Sequence, residues 1–349
     1  MRFEDLNVPV GEMESGPLRR ISDVPGVTVG HCTVTGPRHQ TGVTVVMPCA
    51  DDPYERKLPC AAFVLNGFGK TQGLMQVEEL GQLETPIALT NTLNVGKVHD
   101  ALVSYVLAEE AKRGVSVRTL NPVVCECNDA SLNDIGERVI GEREVLAAIR
   151  TAAADFPVGA VGAGRGMTCH GLKGGIGSAS RVIRAEGSAY TVGVLALTNH
   201  GRLHDLRVDG EPVGREIERK LREDLPDKGS CILILATDLP ATDRQLKRIL
   251  RRCSVGLIRL GSFIGHGSGE VFLGFSTANR IPRDDPGLTQ PCRRLNEDRM
   301  DLVFRAAAEC AEEAVLDSLA AAETVTGPDG TTRTALQDIW LPKREERPC

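Results

Sequence analysis

Six consecutive apolar residues, Cys231-Ile232-Leu233-Ile234-Leu235-Ala236, follow directly on the polar stretch Arg222-Glu223-Asp224-Leu225-Pro226-Asp227-Lys228 and the small pair Gly229-Ser230. A run this short, this apolar and this sharply bounded reads as a buried strand. A buried strand has to be covered by other layers, so the rest of the chain must supply further strands and helices that pack over it.

Such elements recur along the sequence. Val27-Thr28-Val29 and Val43-Thr44-Val45-Val46-Met47 are rich in β-branched residues and bounded by Pro25-Gly26 and Thr41-Gly42, and Ala61-Ala62-Phe63-Val64-Leu65 ends at Asn66-Gly67. Val98, Leu102, Tyr105 and Val106 have helical spacing that stops at Gly114, and a second helical pattern runs from about Val139 to Ala152. The glycine-dense segment from Gly159 to Ser180 predicts close backbone approach, and Thr191–Leu197 predicts a strand. Thr242-Asp243-Arg244-Gln245 forms a capping box ahead of Leu246, Ile249, Leu250 and Cys253. A strand at Val271–Phe275, an alanine-rich helix from about Met300 to Ala322 and a charged tail at Lys343–Arg347 complete the pattern. No repeat and no long linker divides the chain, so residues 1–349 are expected to form one layered α/β domain.

The composition narrows the function classes. A net charge of −6 offers no basic footprint for nucleic acid or an anionic membrane surface. Eleven scattered cysteines, without one Cys-x-x-Cys pair, suit reduced thiols in a cytoplasmic protein better than a disulfide framework. The polar start Met1–Asn7 lacks a secretory apolar stretch, and no window reaches the roughly 18 apolar residues of a membrane span.

Several familiar motifs fail on inspection. Gly69-Lys70-Thr71 lacks the earlier glycine of a phosphate loop, where Val64 stands. Gly162-Ala163-Gly164-Arg165-Gly166 is not followed, about 20 residues on, by an acidic residue at a strand end in a convincing βαβ unit, as a dinucleotide site requires. Gly267-Ser268-Gly269 is flanked by His266 and Glu270, not by the glycines of a nucleophile elbow. His200 and His204, with Cys169-His170 earlier in the chain, lack a zinc-helix motif and read as core or surface residues, so no metal is expected.

Four places carry chemistry. Cys125-Glu126-Cys127-Asn128-Asp129 is either a solvated loop or a site whose carboxylate receives a substrate ammonium group, and its cysteines are either nucleophiles or inert buried thiols. Thr198-Asn199-His200-Gly201 closes an apolar run with an amide donor, and Gly265-His266-Gly267-Ser268-Gly269-Glu270 offers a serine and a carboxylate two residues apart. If the bond between Gly229 and Ser230 were broken, Ser230 would carry a hydroxyl nucleophile and a free α-amine to act as its base.

Together these segments resemble the L-aminopeptidase/D-esterase and β-peptidyl aminopeptidase family, the DmpA-type N-terminal-nucleophile hydrolases. The resemblance runs through Ile21–His31, Thr41–Val45, Pro86–Thr92, Pro122–Val124, Leu132–Asp134, Val161–Gly164, Lys173–Gly177, Gly229-Ser230 with Ala236–Asp238, and Gly267–Glu270, so it spans roughly residues 20 to 320. It implies a four-layer αββα sandwich shared with ornithine acetyltransferase. It also implies a precursor that cleaves itself between Gly229 and Ser230 into an α chain of 1–229 and a β chain of 230–349. Homo-oligomers, tetramers of such pairs or larger, and independence of any cofactor or metal are further family expectations.

By the same resemblance Ser230 Oγ attacks the substrate carbonyl, Ser268 and Glu270 poise its α-amine, Asn199 donates to the oxyanion, and Glu126 pairs with the substrate amino terminus. The implied reaction releases the N-terminal residue of a short peptide, amide or ester. Asn128, a neighbour of the substrate in relatives, replaces a tyrosine of well-studied members. Phe68 and Lys70 stand in place of an asparagine and a glutamate, and Gln76 in place of an aromatic residue. Two rival readings are an acyltransferase of the ornithine acetyltransferase type, disfavoured because that enzyme uses threonine, and an uncleaved, catalytically silent protein that holds an amino compound.

Overall fold

Apolar, β-branched runs between glycine- and proline-rich turns pair into two main sheets, and the amphipathic segments cover their outer faces. The computed structural model describes residues 2–221 and 229–342; the polar stretch at 222–228 and the charged tail at 343–347 lie outside the described residues. The strands that build the two sheets are β1 (Thr28–Thr35), β2 (Gln40–Met47), β3 (Arg56–Gly67), β4 (Ile87–Asn91), β5 (Val123–Cys127), β6 (Gly175–Ala185), β7 (Ser188–Asn199), β8 (Ser230–Thr237) and β9 (Gly269–Ser276). Four helices cover them: α1 (Val95–Lys112), α2 (Glu142–Arg150), α3 (Asp243–Arg259) and α4 (Met300–Ala321).

The smaller sheet has the order β1-β2-β4-β5, with β4 and β5 parallel. The larger, seven-stranded sheet runs β3-β9-β8-β7-β6 and is extended at β3 by the short strands Gln82–Leu83 and Ile281–Pro282. Its β8 and β9 are parallel, and the other pairs along the run are antiparallel.

Three apolar clusters separate four layers. Val43, Val45, Ala88 and Val124 of the smaller sheet pack on Val98, Leu102, Val145 and Ala148 of α1 and α2. Between the sheets, Val46, Leu89, Val123 and Cys125 meet Leu195, Leu197, Ile232, Ile234 and Leu273. Beyond the larger sheet, Leu233, Leu235 and Phe272 meet Leu246, Ile249, Leu250, Val315 and Leu319 of α3 and α4. The order helix, sheet, sheet, helix is the αββα sandwich that the resemblance implied. Strand β8 lies at its centre with all eight residues buried, and each fully buried Leu or Ile there contributes about 1.5–3 kcal/mol.

Local expectations met the structure closely. Thr242 Oγ1 accepts from Gln245 N at 3.3 Å and Gln245 Oε1 accepts from Thr242 N at 3.3 Å, so the capping box starts α3 as read. The helix expected from about Val139 to Ala152 is shorter, Glu142–Arg150, because Gly141 caps it and its backbone N–H donates to Glu144 Oε2. In the glycine-dense segment, a Cβ on Gly177 would overlap Ala314 O, so glycine there lets β6 lie directly against α4.

Candidate active site

The β-ladder of the larger sheet gathers the proposed nucleophile and its neighbours at one end. Ser230 is the first residue of β8; it is paired with Asn199, the last residue of β7, on one side and with Gly269, the first residue of β9, on the other. Gly269 N donates to Ser230 Oγ at 3.2 Å and to Gly229 O at 3.3 Å, so one backbone donor lies between the serine hydroxyl and the carbonyl that precedes it. Ser268 Oγ donates to Glu270 Oε1, and both residues are fully buried. Ser230, Ser268, Glu270 and Asn199 therefore lie together at one end of the ladder.

The Asn199 amide is held from both ends. Its Oδ1 accepts from Thr168 N at 2.8 Å and its Nδ2 donates to Asn128 O at 2.9 Å. An amide carries two N–H groups, so Nδ2 has a second donor besides the one that serves Asn128 O. Gly229 runs so close to this strand that a Cβ on it would overlap Asn199 O. Glycine at this position lets the chain lie flat beside the strand end.

The smaller sheet approaches from the other side. Glu126, 2% exposed on β5, accepts from Lys70 N at 2.9 Å on Oε1 and from Thr92 Oγ1 on Oε2. Its neighbour Cys127 spans the two sheets, with Sγ donating to Ser230 O at 3.4 Å. Burial pushes the Cys127 thiol well above its ordinary range and the Cys125 thiol up to about 12. Both stay protonated near neutral pH, which leaves the inert-thiol reading and removes the nucleophile reading.

Asn128 is exposed, and its carbonyl serves Asn199. Asp129 turns the other way: it is fully buried and accepts from Thr41 Oγ1 at 2.5 Å, Asn91 Nδ2 at 3.1 Å and Asn133 Nδ2 at 3.1 Å. Burial still pushes its carboxyl up to about 6.

The structure adds residues that the sequence did not mark: Lys70 N and Thr92 as the holders of Glu126, Thr168 as the holder of Asn199, and Gly269 N between the serine and its carbonyl. Asn66 Nδ2 donates to Gly265 O at 2.8 Å and to Ser268 O, bracing the loop before β9. The unusual Phe68 and Lys70 lie on this rim: Phe68 is 54% exposed and Lys70 Nζ sits 4.4 Å from its ring centroid. Lys70 serves Glu126 through its backbone, so that bond does not depend on its side chain.

Residues 19–333 match the model of peptidase family S58. The chain belongs to that family. Among S58 relatives, it is 38% identical to the β-peptidyl aminopeptidase BapA of Sphingosinicella xenopeptidilytica, over 93% of this chain and 86% of that one. Its structure resembles a Burkholderia sp. β-aminopeptidase with a TM-score of 0.89 at 38% identity, covering 98% of this chain and all of the other. It also resembles the L-aminopeptidase D-Ala-esterase/amidase of Ochrobactrum anthropi, described as a serine aminopeptidase with a variant of the Ntn hydrolase fold. Here the TM-score is 0.88 at 34% identity, over 96% and 95% of the two chains. The protein is a serine aminopeptidase of the N-terminal-nucleophile type, and neither the acyltransferase nor the silent binding protein is favoured.

Proposed function

We propose that the chain cleaves itself between Gly229 and Ser230 and that the new amino-terminal Ser230 then releases N-terminal residues from short peptides, amides or esters. The observation that carries this reading is the convergence on Ser230 of Gly269 N, Asn199 and the Ser268–Glu270 pair at one end of the β7-β8-β9 ladder.

In the first reaction Ser230 Oγ adds to the Gly229 carbonyl carbon. The C–N bond breaks, the amine of Ser230 takes the proton, and water then hydrolyses the resulting ester, leaving chains 1–229 and 230–349. In the second reaction the freed α-amine, with an ordinary pKa of about 7.7–8.0, accepts the hydroxyl proton as Oγ attacks a substrate carbonyl. Ser268 and Glu270 hold that amine in place. Asn199 Nδ2 and Gly269 N donate to the oxyanion, and the acyl-enzyme is then hydrolysed.

Glu126 takes the substrate ammonium group by a charge-assisted hydrogen bond, with Asn128 at the edge of the same pocket. A site that neutralises a free amino group next to the nucleophile suits an aminopeptidase and disfavours cleavage within a chain. Among the described residues no helix is long and apolar enough to cross a membrane. A cytoplasmic location and a homo-oligomer, a tetramer of αβ pairs or larger, belong to this proposal; ten free cysteines among the described residues suit a reducing compartment.

A panel of α- and β-amino acid anilides, each with a free and an N-acetylated amine, tests the substrate assignment. Release of aniline from the free amines alone is expected, and equal release from both sets would contradict the role given to Glu126.

A further inference from the structure

A second cluster of reactive side chains lies immediately behind Asn199. The short strands Thr168–Cys169 and Leu172–Lys173 form a tight hairpin whose turn, His170-Gly171, has positive φ at both residues, 47° and 72°. Left-handed backbone is unusual for histidine, and here it puts the His170 ring in the angle between the hairpin and the end of β7. His170 N donates to His200 O at 2.7 Å, and the two rings meet edge to face with centroids 5.4 Å apart. Gly201, with φ 86°, completes the fit, because a Cβ there would stand 2.5 Å from the His170 ring.

Cys169, His170 and His200 are all buried, and Cys169 Sγ and one nitrogen of each ring lie within 4.8 Å of one another. His200 is 1% exposed, yet neither of its ring nitrogens has a hydrogen-bond partner among the described residues. A buried polar group without a partner is costly, and an apolar side chain of similar size would fill the same space without that cost. His170 Nδ1 lies 3.1 Å from Arg202 O, and since a carbonyl can only accept, Nδ1 carries the proton and Nε2 carries the lone pair. A backbone carbonyl that fixes the tautomer in this way is the usual support of a metal-ligating histidine.

We infer that Cys169, His170 and His200 form a binding site for a divalent transition-metal ion such as Zn²⁺. One thiolate and two imidazoles suit a borderline-soft ion, and three protein ligands leave a fourth position of the tetrahedron. Binding displaces the Cys169 thiol proton to solvent, so one proton leaves for each ion bound. The site joins two neighbours of Asn199: Cys169 follows Thr168, whose N–H holds Asn199 Oδ1, and His200 follows Asn199 itself. A bound ion therefore clamps both supports of that amide. This last consequence rests on the role proposed for Asn199, whereas the binding does not.

The test is a titration of the tag-free full chain, stripped of metal by a chelator, with Co²⁺ and then Zn²⁺. One ion per chain is expected, with a thiolate-to-cobalt charge-transfer band in the near ultraviolet that Zn²⁺ abolishes, release of one proton and a higher Tm. Cys169→Ser should lose the band, and His200→Asn should weaken binding about tenfold or more while keeping its circular dichroism spectrum. Cys292→Ser and His204→Gln should bind as the parent does, since Cys292 is exposed and His204 pairs with Glu218 at 2.8 Å. A parent chain that takes up no stoichiometric ion would overturn the site whatever the variants do. So would a band that persists in Cys169→Ser. Stoichiometric binding with unchanged peptide hydrolysis would keep the site and remove only its link to Asn199.

Discussion

The two sheets contribute to the site in different ways. The larger sheet supplies Ser230, Asn199 and Glu270 from ladder positions, and Ser268 from the residue just before β9, so hydrogen-bonded register sets their spacing. The smaller sheet supplies Glu126 from a strand, but of its surroundings Lys70 and Asn128 sit in loops and Thr92 opens a single 3-10 turn after β4. A one-residue slip in the first sheet would turn every side chain to the opposite face, whereas a loop can change residue type at modest cost. On the proposed roles, the bond-breaking groups are thus tied to the fold, and the groups that choose the substrate are free to vary. Phe68, Lys70 and Asn128, three of the departures from better-known relatives, fall on the variable side, and the fourth, Gln76, lies on the helix Leu74–Leu80.

This division predicts the largest effects in the larger sheet. Ser230→Ala removes the nucleophile of both reactions, so a single uncleaved chain without hydrolysis is expected; a cleaved or active variant would break the comparison at its root. Asn199→Ala removes one oxyanion donor and should lower kcat about 10²–10³-fold in chains already processed, with KM little changed. Steady-state kinetics on the processed fraction would check it, and a change confined to KM would move Asn199 to the recognition side.

The smaller sheet should respond more gently and in KM. Glu126→Gln removes a charge-assisted hydrogen bond, typically about 1.5–3 kcal/mol, so KM for free-amine substrates should rise about tenfold or more. The loss on free-amine substrates should exceed any loss on N-blocked esters, and equal loss on both would erase the distinction between the sheets.

The last effect concerns stability alone and leaves the reaction untouched. Asp129 is pushed by burial from about 3.8 up to about 6, so the folded state prefers its protonated form. Its stabilising contribution is complete below about pH 4, declines as the pH rises to about 6, and is constant above that, a total of about 3 kcal/mol. Denaturant midpoints of the parent and of Asp129→Asn should diverge across this interval, and parallel curves would show that Asp129 does not titrate as described.

The same contrast explains what could be read from the chain. β8, the capping box of α3 and the C-terminal end of α1 are local, and apolar runs, Thr242 with Gln245, and Gly114 disclose them. The four-layer arrangement depends on which faces meet, and it came from the family resemblance, not from periodicity. The holders of Glu126 are Lys70 and Thr92, 56 and 34 residues away, and no spacing announces them. Cys169-His170, His200 and His204 are visible in the sequence, but no spacing tells which of them meet: His204 turns to Glu218, and a hairpin turn brings His170 to His200.

The central claim is that the Gly229–Ser230 bond breaks and leaves Ser230 with a free amine. The intact mass of the purified protein under denaturing conditions tests it most directly. The account predicts two species, one corresponding to residues 1–229 and one beginning at Ser230. A single species of 349 residues in a preparation that hydrolyses amino-acid anilides would contradict it, because the α-amine assigned as the base would not exist.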